Sequence, residues 1–204
     1  MTSNIEHIFY INLAHRTDRR SEIEHELETM GLSQQAERFD AILMKPGPFG
    51  CGYSHIAVLK LAKERGYKNV LILEDDFMFV VDKETLETQC KLFFEHVKDY
   101  DVCLFGYNTM KSEECVYPFL QKVLDSQTAS GYLVHERFYD TLIDNFETAM
   151  KNLKNGYQHW LYSIDQYWKI LQKSSSWYQF KTRIGKQRPS YSDISERNVE
   201  YNDC

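Results

Sequence analysis

Apolar residues along the chain recur at two spacings, one suited to buried strands and one to helices packed on a single face. Ile8 to Leu13 is a short run rich in β-forming residues and predicts a buried strand. Ile23, Leu27 and Met30 then recur at helical spacing between Asp18, a candidate cap, and Gly31, a candidate stop. A second strand is predicted near Phe39 to Leu43, followed by a loop rich in Gly and Pro, KPGPFGCG. Tyr53 or Ser54 opens the next helix, which turns Ile56, Leu59 and Leu61 inward and closes at Gly66. Asn69 to Leu73, NVLIL, is the clearest central strand. A helix carrying Leu86, Cys90, Phe93 and Val97 follows, then a strand from Val102 to Phe105.

The later part of the chain changes character. Val116 to Leu124 and Ser130 to Val134 predict strands, and Phe138, Leu142, Phe146 and Met150 line one face of a long helix. Another helix is predicted from about Trp160 to Leu171, a last strand from Trp177 to Ile184, and then a polar tail. Strand and helix alternate through most of this order. That predicts an α/β fold with a mostly parallel central sheet and helices on both faces. No repeat, low-complexity segment or linker composition divides the chain, and its 204 residues suit one core.

Composition narrows the function only a little. A hydrophobic share of 43% and a charged share of 26% are ordinary for a soluble domain. A formal net charge of -6 argues against nonspecific nucleic-acid binding, which needs a basic surface. Five cysteines, odd in number and without a CxxC, form neither a disulfide framework nor a zinc site by spacing, and a reducing compartment fits them best. No apolar run is long enough to span a bilayer. The first residues lack the basic head and apolar stretch of a signal peptide, so the chain as given predicts a cytoplasmic protein.

Three stretches carry candidate chemistry. Glu74, Asp75 and Asp76 lie just past the carboxyl end of the most hydrophobic strand, where open α/β sheets bind ligands. Adjacent carboxylates repel one another, and a Mg²⁺ or Mn²⁺ shared with substrate phosphates resolves that repulsion. A solvated acidic turn is the plainer reading. In GCGYSHI, residues 50–56, two glycines permit close backbone approach, and Ser54 and His55 are expected in a first helical turn, where anions or sugar hydroxyls are welcome. A capping Ser and a structural His explain the same residues. In INLAHRTDRR, Asn12 and Arg16 sit where the first strand reaches the site edge, and Arg19 and Arg20 occupy a first helical turn, an unusual place for cations unless an anion is near. Pairing with Glu22, Glu24 or Glu26 is the alternative.

Taken together, FYINLAHRTDRR, GCGYSHIAVLKLA, VLILEDD and SGYLV resemble glycosyltransferase family 25, the LPS-biosynthesis family that includes collagen β-galactosyltransferase-type enzymes. DQYW at Asp165 to Trp168 and the tail QRPSYSDI look like the family's later motifs. The resemblance implies a single GT-A-like domain over residues 1–204, with a nucleotide-sugar-binding half to about residue 110 and an acceptor-binding half after it. It implies a UDP-sugar donor, Mn²⁺ (or Mg²⁺) and inversion at the anomeric carbon. By position, Glu74 and Asp76 would be the metal partners and Asp75 would lie nearer the ribose. Asn12 and Arg16 would lie near the nucleotide, and Ser54 and His55 near the diphosphate or donor sugar. No His follows His159, so Ser192, Asp193 or water would complete the metal shell.

Inverting transfer needs charge neutralisation at the leaving diphosphate, an aligned acceptor hydroxyl and a base. Asp165, early in a late helix, is the candidate base; a carboxylate favoured by the helix dipole is its plainer reading. Trp160, Trp168 and Trp177 are candidate stacking surfaces for a sugar or for the core. The expected activity is transfer of a hexose to a glycan, lipid-linked sugar or hydroxylysine-type side chain. A catalytically silent nucleotide-sugar-binding module is the alternative. A haloacid-dehalogenase-type phosphatase fits less well, because it needs an Asp nucleophile where Glu74 stands.

Overall fold

Strand residues buried on two faces organise the fold, which a computed structural model describes for residues 4–156, 158–192 and 197–199. In chain order the elements are β1 (His7–Asn12), α1 (Thr17–Thr29), β2 (Ala36–Asp40), α2 (Gly47–Glu64), β3 (Asn69–Glu74), β4 (Phe77–Phe79), α3 (Lys83–His96) and β5 (Val102–Leu104). There follow β6 (Asn108–Glu114), β7 (Leu120–Gln127), β8 (Gly131–His135), α4 (Tyr139–Lys154), and three single turns, α5 (His159–Tyr162), α6 (Ile164–Tyr167) and α7 (Lys169–Gln172). Then come β9 (Trp177–Phe180), β10 (Gly185–Gln187), β11 (Ser190–Ser192) and β12 (Arg197–Val199).

Eight strands form one sheet in the order β2-β1-β3-β8-β5-β9-β7-β6, with β10 pairing β4 and β11 pairing β12 apart from it. β1 is parallel to both β2 and β3, and β5 is parallel to β9, while β8 runs antiparallel between β3 and β5. The sheet is therefore mostly parallel in direction, as expected, with β7 and β8 reversed. Successive side chains of β3 point to opposite faces. Val70 and Ile72 join the core shared with α2 and α4, and Leu71 and Leu73 join the core shared with α1 and α3. Helices thus cover both faces. Among the described residues, no helix is long and apolar enough to cross a membrane.

Several expected boundaries move. Asp18 is not the cap of α1: Arg16 holds that position and Asp18 lies in the first turn. The second strand ends at Asp40 instead of reaching Leu43, which is 70% exposed. The Gly/Pro stretch is not a loop, because α2 already begins at Gly47 with a proline in its first turn. Proline fits a first turn, where no intrahelical donor is missed. Gly50 and Gly52 stand inside this helix where no side chain would fit. A Cβ on Gly50 would lie 2.5 Å from the Ile42 carbonyl oxygen, and one on Gly52 would strike Met150. The helix expected from Trp160 to Leu171 is three separate turns. β6 was not foreseen: NTMKSEE is polar because it is an edge strand with little burial. The strand expected from Val116 starts only at Leu120, past Pro118.

Phe77, the residue after the acidic triplet, anchors the end of β3. Its buried ring lies where Cβ atoms on Gly131 and Gly185 would fall, at 2.5 Å in the case of Gly131. Close approach to glycine from two other strands locks the β3–β4 turn onto β8 and β10. We predict that Gly131→Ala lowers stability by about 1–3 kcal/mol in urea denaturation, because the added methyl overpacks this contact. Phe77→Leu in the same chain should cost less than it does alone, since the two groups compete for one space. Strictly additive losses would show that Phe77 is not the obstacle.

Candidate active site

Parallel pairing of β1 with β3 brings their carboxyl ends together, with Ile11 opposite Glu74. Asn12 therefore ends beside the Glu74-Asp75-Asp76 turn. Its amide donates to Asp75 Oδ2 at 2.8 Å and to the Arg16 carbonyl at 3.0 Å, while its own oxygen accepts from Arg38 Nε at 2.9 Å. From the first turn of α1, Arg19 Nη1 reaches Asp75 Oδ1 at 2.9 Å and Asp76 Oδ2 at 3.2 Å. All three of these side chains are buried. The cation in the first turn of α1 thus meets the triplet and not a helix-face glutamate. Arg20 does pair with Glu24, at 2.9 Å. Below the turn, the Arg188 N–H donates to the Asp76 carbonyl at 2.6 Å and ties β10 to it.

Burial dominates the ionisation of these acids. It pushes the Asp76 carboxyl up to about 7, with the charges of Glu74 and Asp75 adding to the rise and Arg19 opposing it. Asp75 is also raised by burial, against the pull of Arg19 and Asn12. Among the described residues, Asp76 Oδ1 is buried and makes no hydrogen bond of ordinary geometry, although the nearby Gln187 side chain helps pull the carboxyl down. A buried carboxylate oxygen left without a donor costs free energy unless a proton or a cation meets it. Glu74 and Asp76 thus fit a hard divalent cation, in both donor type and unsatisfied valence.

The opposite wall comes from α2. Cys51 and His55 lie one turn apart and both meet Glu74 Oε1, the thiol at 3.5 Å and the imidazole Nε2 at 3.4 Å. His55 is fully buried, and its Nδ1 shares a 2.9 Å hydrogen bond with the Tyr132 hydroxyl on β8. Burial pushes Glu74 up, but His55, Cys51 and Arg19 together hold its carboxyl below the usual value. Burial, with the charges of Glu74 and Asp165, drives the Cys51 thiol well above its ordinary range. Asp165, on α6, lies in the same neighbourhood. Its Oδ2 accepts the Thr128 N–H at 3.1 Å, and burial raises its carboxyl. Thr128 sits at φ +82°, a conformation rare for a β-branched residue, and this bond helps hold it there.

The structure brings Asn12, His55, Glu74, Asp75, Asp76 and Asp165 to one region, and it corrects the placement of Ser54, Trp168 and Trp177. Ser54 is not in the first helical turn. It is buried in α2, donates to the Gly50 carbonyl at 2.6 Å and accepts the Ile42 N–H at 2.8 Å, so it pins the preceding loop. Arg16 points its guanidinium to Asp18, at 2.8 Å, and reaches the acidic turn through its carbonyl, on Asn12. Trp168 and Trp177 are not stacking surfaces for a ligand: both are fully buried, with ring centroids 5.0 Å apart. Trp160 is 58% exposed. The Ser192 side chain and Asp193 lie outside the described residues. Cys51 and Tyr132 were missed as site residues. The Cys51-x₃-His55 spacing was present in the sequence, but it faces one way only once the helix is known to start at Gly47.

The Asp76 shift has a measurable consequence. Its folded-state carboxyl keeps a proton up to about pH 7, whereas the unfolded chain releases it near the ordinary aspartate value of 3.8. Between those values the folded state binds more protons, so stability falls as pH rises through that window and levels off above it. We predict this fall for the protein in chelator, and a shallower one in Asp76→Asn. Identical pH profiles in the two proteins, by thermal or urea denaturation, would show that Asp76 titrates normally.

No protein-family model matches the chain. A curated relative, "Glycosyltransferase 25 family member" from Drosophila pseudoobscura pseudoobscura, is 28% identical over 156 residues, 63% of this chain. The chain spans about a quarter of that relative's length, 24%. Among solved structures, a glycosyltransferase involved in the glycosylation of the major capsid of PBCV-1 superposes with a TM-score of 0.52 at 10% identity, over 93% of this chain and 95% of that one. That likeness establishes the shared fold. The resemblance to glycosyltransferase family 25, first carried by four sequence stretches, is thus matched by a curated relative bearing that family's name, on a fold found in a solved glycosyltransferase.

Proposed function

We propose that this chain is a glycosyltransferase that moves a hexose from a UDP-sugar to an acceptor hydroxyl, with inversion and with a divalent cation held by Glu74 and Asp76. The observation that carries the reading is the buried, unpartnered Asp76 oxygen in an acidic turn at the carboxyl end of β3. The relative named for glycosyltransferase family 25 supports it. The cofactor is Mn²⁺, or Mg²⁺ in its place. When bound it would offset the negative charge that grows on the leaving diphosphate.

The remaining work falls to the chain's own residues. Arg19 compensates Asp75 and Asp76, so that three adjacent acids can stay packed at the strand end. Asn12 orients Asp75, the residue assigned to the ribose, and Arg16 fixes Asn12 through its carbonyl. His55 orients Glu74 from the α2 side, on the diphosphate and donor-sugar edge. Asp165 takes the proton of the acceptor hydroxyl. Burial raises its carboxyl, which makes the ionised form a stronger base. Trp160, exposed on the turn before α6, is suited to stack on a sugar acceptor. In this reading the chain is one domain, with the donor half to about residue 110 and the acceptor half, which carries Asp165 and Trp160, after it. The acceptor is a glycan, a lipid-linked sugar or a hydroxylysine-type side chain, in a cytoplasmic setting that the unpaired Cys51, Cys90, Cys103 and Cys115 suit. The phosphatase alternative is disfavoured, because Glu74 stands where the nucleophile belongs and its Oε1 is taken up by His55 and Cys51.

Asp76→Ala is expected to abolish Mn²⁺-dependent UDP-sugar turnover while far-UV circular dichroism stays unchanged; near-normal turnover would remove the cation from the mechanism. Asp165→Asn is expected to lower kcat by about 100-fold or more, with the donor KM nearly constant. A matching loss of donor affinity would move Asp165 from the acceptor proton to the donor side.

A further inference from the structure

The transfer reading leaves Cys51 without a task, although its thiol is packed among acids. Cys51 Sγ and His55 Nε2 project from successive turns of α2 onto one oxygen, Glu74 Oε1, at 3.5 and 3.4 Å. The three ligand atoms all lie within 4.8 Å of one another. Around a tetrahedral zinc, with bonds of about 2.0–2.3 Å, ligand atoms stand about 3.3–3.6 Å apart. Both measured separations fall in that range.

We propose that Cys51, His55 and Glu74 form a binding site for Zn²⁺. The donor set selects the ion. Thiolate and imidazole favour zinc over Mn²⁺ and Mg²⁺, which prefer oxygen-rich octahedral shells. The second layer is also in place, because the Tyr132 hydroxyl meets His55 Nδ1 at 2.9 Å. With the ring proton on Nδ1 and donated to that hydroxyl, Nε2 presents its lone pair to the metal. On binding, the Cys51 S–H bond breaks, its proton passes to solvent, and a zinc–thiolate bond forms. Thiolate and carboxylate together then match the charge of the ion. Three protein ligands leave a fourth position for water. The site joins α2 to the end of β3, two elements that also share the core built on Val70 and Ile72. It shares Glu74 and His55 with the transfer reading, whereas Cys51 has no part in that reading and the test reads the cysteine-bound metal directly.

The test is titration of the full-length, chelator-stripped protein with Co²⁺ as a spectroscopic probe for zinc. One equivalent should produce a thiolate-to-cobalt charge-transfer band in the near ultraviolet and strong visible bands of four-coordinate cobalt, and Zn²⁺ should bleach both. Cys51→Ser and Cys51→Ala should lose the charge-transfer band while keeping the native circular dichroism spectrum. Cys115→Ser should retain the band. Tyr132→Phe should weaken zinc by about 10-fold in competition with a chromophoric chelator. A band that survives both Cys51 variants, a band lost in Cys115→Ser, or only the weak bands of octahedral cobalt would overturn the proposal. The last result would place the ion on carboxylates alone. None of these outcomes depends on whether any UDP-sugar is turned over.

Discussion

Three consecutive acids at the end of a buried strand make a local charge that the surrounding structure has to answer. Like charges at this spacing, taken out of water, cost far more than a surface turn would. The protein answers from two sides. Arg19 and Asn12, delivered by α1 and β1, engage Asp75 and Asp76, while His55 and Cys51, delivered by α2, engage Glu74. The compensation is incomplete. Among the described residues, one Asp76 oxygen makes no hydrogen bond of ordinary geometry, and its carboxyl rises toward neutrality. A remaining deficit of this kind is what a ligand-binding charge cluster needs, because full internal pairing would leave nothing for a ligand to satisfy.

That arrangement holds only if the β3 end cannot shift. Phe77 supplies the anchor, with its ring against glycines of β8 and β10, and the Arg188 N–H binds the Asp76 carbonyl from the other side. The two opposing walls are also coupled through the sheet. β8 lies antiparallel beside β3 and carries Tyr132 to His55, so one of the two reversed strands orients the imidazole. The bond from Thr128 to Asp165 extends the same network into α6, across the turn that leads into β8. Strands and helices, not loops, therefore hold most of the site.

Local patterning specified much of this molecule. The runs Ile8–Leu13, NVLIL and Val102–Phe105 were legible as strands, and the faces of α3 and α4 as buried, because each is long or apolar enough for its period to show. The acidic triplet stood out as a candidate site for a similar reason: charged residues placed straight after an apolar strand have few structural uses. Element ends were less legible. Gly50 and Gly52 read as loop residues by propensity, yet they lie within α2, where Ile42 and Met150 leave no room for a side chain. That single shift moved Ser54 from a ligand-facing turn into the core and brought Cys51 onto the same face as His55.

The amino-acid order by itself settled which segments bury which faces and which carboxylates stand at a strand end, since both follow from residue chemistry at close range. It could not settle that β8 inserts in reverse between β3 and β5, because a strand buried on both faces reads the same in either direction. Nor could it pair Arg19 with Asp75 across 56 positions, or bring Asp165 to a site built mainly from the first 80 residues. Those choices depend on how distant elements pack, where the free energy comes from excluding water over whole surfaces and from matching buried charges, and neither is written in any local window.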